Sequence, residues 1–129
     1  MIGVERVDFV AVMSQDLERS KAFYGETLGL TPNTKAHEEW PEFETGNVTL
    51  LLVDPKKIET EFSPNKAGIA IRVPDVSAAM QRLRDTGVEF VFEEPYDSSV
   101  CHMAFFEDPD GNRLILHHRY APYADGSKP

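Results

Sequence analysis

Residues 101–118, CHMAFFEDPDGNRLILHH, hold two strand-like apolar runs on either side of the tight turn Asp108-Pro109-Asp110-Gly111-Asn112. Proline presets φ and glycine accepts φ > 0, so the stretch reads as a β-hairpin. Set beside it, residues 45–53, TGNVTLLLV, match residues 110–118, DGNRLILHH, with the Gly-Asn pair and the run after it recurring 65 positions later. A second match pairs Asp16-Leu17-Glu18 and Gly29-Leu30 with Asp75-Val76-Ser77 and Gly87-Val88, at offsets of 59 and 58. The chain is therefore a duplicated unit. The change of offset from 59 to 65 puts about six extra residues between helix and last hairpin in the second copy.

Each copy reads as βαβββ. In the first, residues 7–13 (VDFVAVM) form an apolar strand too continuous to be exposed on one face. Asp16 is the N-cap of a helix with Leu17, Ser20, Tyr24, Thr27 and Leu28 at helical spacing, and Gly29 ends it. After Pro32, residues 33–39 are polar and weakly strand-like, 40–45 carry Trp40 and Phe43 on a short strand, and 48–53 are a strong strand. Residues 55–66 are a linker by their prolines and charges. The second copy follows with strand 69–73, a helix capped by Asp75, strands 88–92, 100–106 and 113–119, and a polar tail over 121–129. The predicted architecture is α+β: a single domain of two tandem modules, about 5–54 and 67–120, forming a curved sheet cup between their helix-free faces, where a small ligand would bind.

A chain of 129 residues can bury about two-thirds of its unfolded surface. Cys101 is the only cysteine, so no internal disulfide is expected and a reducing, cytoplasmic setting is the default. The balance of 22 acidic against 13 basic residues gives a formal charge of −9, which repels nucleic acid and anionic lipid. No stretch approaches the ~18 apolar residues of a membrane span. An acidic surface and an acidic cleft for a cationic ligand both fit this charge. No P-loop, Gly-x-Ser-x-Gly elbow or zinc-type cysteine cluster is present.

Three stretches carry a family likeness: residues 16–24 (DLERSKAFY), Leu28-Gly29-Leu30, and residues 105–112 (FFEDPDGN). The chain resembles the vicinal oxygen chelate superfamily, which includes glyoxalase I, extradiol dioxygenases and bleomycin-resistance proteins, over residues 7–119 or so. That resemblance implies paired βαβββ modules, commonly in a homodimer, and in the family's enzymes a divalent metal held by His, Gln or Glu from the first and last strands of each module. Carried over, the ligand positions fall on Phe9 or Asp8, Leu50, Gly68 and Ile115. Leu50, Gly68 and Ile115 offer no donor side chain, so the expectation is a protein without a metal cofactor.

The remaining candidates are ligand-binding ones. His117 lies two residues beyond Ile115 and so leaves a regular strand by the same face; His102 sits on the neighbouring strand, and the two are expected to face one pocket. Trp40 and Phe43 are expected near its mouth, where aromatics stack on a flat ligand. His37 and His118 read as solvated or packed. Cys101 and His102 point to opposite faces and make no dyad, while Phe23-Tyr24 and Phe105-Phe106 read as core and inter-module packing. The functional expectation is a binder of a small organic molecule, as in the bleomycin-resistance branch. Its alternative is a metal-dependent lyase, isomerase or dioxygenase with a displaced site built from Asp8, His102 and His117.

Overall fold

Asp16 and Asp75 start the two long-range repeats of the chain in the same way. Each takes extended backbone and accepts a hydrogen bond from the N–H three residues on, Arg19 N to Asp16 Oδ1 at 3.1 Å and Ala78 N to Asp75 Oδ1 at 3.0 Å. This satisfies one of the donors a helix leaves unpaired at its start. The structure, a computed structural model, describes residues 1–129. It divides into two compact units, Met1–Asn65 and Lys66–Pro129.

In the first unit β1 (Phe9–Met13) leads to α1 (Leu17–Ala22), which loosens into a π-helical turn over Phe23–Thr27. Leu28 N there donates to Phe23 O at 2.9 Å, and Gly29 leaves the helix with φ 74°. Then come β2 (Thr31–Pro32), β3 (Glu42–Glu44) and β4 (Thr49–Val53), in the spatial order β1-β4-β3-β2 with β1 parallel to β4. Val12, Leu50, Leu52 and Phe43 share the face that packs on Tyr24, whose ring lies 6.2 Å from that of Phe43. Complete burial of a side chain such as Leu52 contributes about 1.5–3 kcal/mol.

The second unit repeats the plan with β5 (Ile69–Arg72), α2 (Val76–Asp85), β6 (Tyr96–Asp97), β7 (Cys101–Glu107) and β8 (Arg113–Arg119), in the order β5-β8-β7-β6. Val76, Met80 and Leu83 of α2 are buried, as are Ala104, Phe106, Leu114 and Leu116 of the sheet. The β7–β8 turn is held by Asp108, whose Oδ1 accepts from Asp110 N and Asn112 N, both at 2.9 Å, and whose Oδ2 accepts from Asn112 Nδ2 at 2.8 Å. Gly111 stands at φ 86°, as a tight turn at this point requires.

Three expectations change at the sheet edges. Residues 33–39 form turns instead of a strand, because Asn33 Oδ1 accepts from Lys35 N at 3.1 Å and His37 Nδ1 from Glu39 N at 3.1 Å, giving the backbone local partners in place of a ladder. The edge role passes to Thr31–Pro32. Trp40 consequently lies in a turn before β3, not on a strand. Residues 88–92 also leave the sheet, with only Val91 N reaching Phe105 O at 2.9 Å, and Tyr96–Asp97 after Pro95 supplies the edge. The 55–66 linker contains a 3-10 turn, Pro55–Ile58, capped by Asp54.

Candidate functional site

Strand alternation in the first unit puts Phe9, Ala11, Glu42, Thr49 and Leu51 on the face away from the helix, since Phe9 pairs with Thr49, Ala11 with Leu51, and Glu42 with Leu51. On this face lies a recess of about 310 Å³ lined by Arg6, Asp8, Phe9, Glu42, Thr49 and Leu51. Phe9 is 54% exposed, which leaves a large apolar ring for a ligand to cover. Polar groups surround the ring. Arg6 Nε donates to Asp8 Oδ1 at 2.9 Å, Asn33 Nδ2 to Glu42 Oε1 at 3.2 Å, and Thr49 Oγ1 to the Glu44 carboxylate at 2.9 and 3.1 Å. The exposed Arg6–Asp8 pair contributes little to stability. The arrangement suits stacking of a flat molecule on Phe9, with carboxylates positioned to accept from a donor group.

The residues singled out in the sequence do not gather in one place. Asp8 lines the recess, tied to Arg6. Trp40 lies under Lys57, whose Nζ is 5.7 Å from the ring centre. Phe43 is only 3% exposed and packs against Tyr24, so its ring is spent on the core. The hairpin register settles the two histidines. His102 pairs with His118 and His117 pairs with Met103, so His102 and His117 leave by opposite faces of the sheet instead of sharing a pocket.

His102 belongs to a local polar group with Asp97 Oδ2 at 3.4 Å from its Nε2 and the Tyr120 ring at 5.0 Å. Tyr120 donates its hydroxyl to Asp97 Oδ1 at 2.8 Å, and Ser99 N donates to the same oxygen at 2.9 Å. These bonds, that from Ser99 N above all, lower the Asp97 pKa, and the bond to Asp97 raises that of Tyr120. His118 Nδ1–H donates to the Val73 carbonyl at 2.9 Å. His117 faces the helix-free side beside Arg72, and its pKa is pushed below the ordinary imidazole value by burial first, then by Arg72, His118 and Arg119. Cys101 is buried, with Ser98 Oγ 2.9 Å from its sulfur.

The positions that the family resemblance assigns to metal ligands carry few donors. Pairing of Ala11 with Leu51 and of Ala70 with Ile115 makes Leu51 the counterpart of Ile115; Leu50, read from the linear repeat, is turned into the core and 2% exposed. Neither leucine has a donor. At Gly68 an added Cβ would meet Arg113 Cγ and Ile115 Cδ1, each at 3.0 Å, so the space for a ligating side chain is already filled. No three His, Cys, Asp or Glu side chains converge.

Arg6, Glu42, Thr49 and Leu51 were not anticipated as site residues. For Glu42, Thr49 and Leu51 the signal was the alternation of exposed and buried positions through EFE and TLLLV, legible once the helix-facing set is known; nothing in the sequence marked Arg6.

Residues 6–116 match the Glyoxalase/Bleomycin resistance protein/Dioxygenase superfamily. The chain is 30% identical to the uncharacterized protein YaeR of Escherichia coli K12, over 91% of this chain and 98% of that one. Among solved structures, it superposes on TnmS3, an antibiotic binding protein from Streptomyces sp. CB03234, with TM-score 0.75 and 27% identity, covering 92% of this chain and 99% of that one. A putative glyoxalase family protein from Bacillus anthracis gives TM-score 0.74 and 26% identity over 90% and 96% of the two chains. With the tandem βαβββ modules, a match over residues 6–116 establishes that the chain belongs to the Glyoxalase/Bleomycin resistance protein/Dioxygenase superfamily.

Proposed function

We propose that the protein binds a small, flat organic molecule carrying a cationic or donor group, on the helix-free face of its first module. The observation that carries the reading is the recess floored by Phe9 and Leu51 and rimmed by Glu42 and Asp8. An apolar floor with few convergent polar groups is the usual composition of a small-molecule site. Phe9, Leu51, Gly68 and Ile115 stand where the resemblance places the metal ligands of the family's enzymes, and the lack of a donor side chain at all four favours binding over metal-assisted chemistry. The likeness to an antibiotic binding protein supports the same branch.

A thermal-shift screen of flat organic molecules, cationic and neutral, tests this, followed by calorimetric titration of the hits. Phe9→Ala is expected to weaken every hit at least tenfold and Glu42→Gln to weaken only the cationic ones; hits that bind both variants with unchanged affinity would remove the site from this face. The proposal includes a homodimer, because two-residue edge strands at Thr31–Pro32 and Tyr96–Asp97 leave sheet edges that pairing can cover. Light scattering should then give about twice 14.5 kDa, and a monomer at low micromolar concentration would refute it. It also places the protein in the cytoplasm, on its single thiol. No helix is long and apolar enough to cross a membrane.

A further inference from the structure

The second module has its own helix-free face, and the charge on it runs against the rest of the chain. Along β8 the side chains of Arg113, Ile115, His117 and Arg119 alternate onto that face, and Arg72 of β5 is the direct neighbour of His117. Across the hairpin, Phe105 pairs with Ile115 and Met103 with His117, giving an apolar strip that ends at the cations. In a chain of net charge −9, one end of one sheet face thus gathers Arg72, His117 and Arg119.

No acidic strand position answers them there. The carboxylate on this face is Glu107, engaged by Lys66 Nζ at 3.0 Å and Arg113 Nη2 at 3.9 Å at the opposite end. It pairs with Arg113, four residues along β8 from His117, or ~13 Å at ~3.3 Å per residue. Asp97 pairs with His102 and so belongs to the other face. Arg119 is already committed: its Nε donates to Ala121 O and its Nη2 to Pro122 O, each at 3.0 Å, and its guanidinium lies 4.5 Å from the Tyr123 ring centre. Arg72 is exposed and no ion pair engages it, so its fork of donors is available to a bidentate acceptor.

We propose that this face is an anchor for an organic anion, with Arg72 taking a carboxylate or similar planar anion, His117 beside it, and Met103, Phe105 and Ile115 covering the apolar body. No strand carboxylate of the module lies beside the cations around His117, and an organic anion supplies that counter-charge. Charge-assisted bidentate pairing of a guanidinium with a carboxylate is stronger and more directional than a neutral hydrogen bond. The proposal does not require the reading given for the recess of the first module.

The test uses 2-naphthoate, the uncharged 2-naphthamide of the same shape, and inorganic phosphate as probes. Titration of the 129-residue chain is followed by calorimetry and by the His117 imidazole resonances. Naphthoate is expected to bind at least tenfold more tightly than the amide or phosphate, and to move the His117 titration to higher pH. Arg72→Gln should lose at least tenfold in naphthoate affinity while Arg72→Lys retains part of it. The control is Arg82→Gln on the exposed side of α2, which removes the same charge from elsewhere and is expected to leave naphthoate binding unchanged. Equal binding of acid and amide, phosphate binding as tight as naphthoate, an equal loss in Arg82→Gln, or an unmoved His117 titration would each overturn the anchor. So would the absence of naphthoate binding at millimolar concentration.

Discussion

Gly68→Ala tests the packing at the first-strand position of the second module, where the family's enzymes place a metal ligand. Gly68 has φ 107°, a conformation L side chains rarely adopt, and holding alanine there costs about 1–3 kcal/mol. The new Cβ would also meet Arg113 Cγ and Ile115 Cδ1 at 3.0 Å, inside the ~3.5–4.0 Å of a relaxed carbon contact. Overpacking of this kind costs about 1–3 kcal/mol. Together the two effects give about 2–6 kcal/mol, a large part of the ~5–15 kcal/mol of a folded domain. Urea unfolding followed by circular dichroism reads it out: at a slope of about 2 kcal/mol/M, a loss of 3 kcal/mol lowers the midpoint by ~1.5 M. Gly29→Ala is the comparison, since Gly29 also has positive φ, 74°, but nothing lies within 4 Å of its added Cβ. It should show only the backbone share. Adding Ile115→Ala to Gly68→Ala should recover part of the steric share, less the cost of the deleted methyls. A Gly68→Ala protein within about 0.5 kcal/mol of wild type would refute both the backbone assignment and the close packing.

Gly111→Ala, at φ 86° in the β7–β8 turn, should cost on the order of 1 kcal/mol or more, and an unchanged melting temperature would mean a different turn. For His117 the folded pKa lies below the unfolded 6.5, so the unfolded chain takes up the proton first as pH falls. Stability should therefore fall as pH drops below 6.5 toward the folded pKa and be independent of this group above it; His117→Gln, compared by urea unfolding across that window, should flatten the slope. Elemental analysis of tag-free protein should give well under one equivalent of zinc, iron, nickel or manganese. One tight equivalent lost on Asp8→Ala or His117→Ala would restore metal-dependent catalysis.

The duplication, the α+β class, both helix caps and the positive-φ turn glycines were legible because each depends on contacts within a few residues. Asp16 and Asp75 cap their own helices, and Gly29 and Gly111 answer local backbone demands. The edge strands were not legible, since residues 33–39 and 88–92 have strand-compatible composition but find hydrogen-bond partners elsewhere. The candidate site suffered most. Whether His117 shares a face with His102 or opposes it turns on one residue of register, and that register follows from closing the hairpin with Asp108 N on Asn112 O at 2.9 Å. A one-residue change in the turn would have exchanged the faces. The same parity moved the first-module position from Leu50 to Leu51, and burial took Phe43 out of the ligand set. Sequence by itself determined what each segment is, because caps, turns and periodicity are local. Only the tertiary structure decided which side chains meet on a face, because that follows from pairing between strands distant in the chain, and it is this pairing that set Phe9 beside Thr49 and Arg72 beside His117.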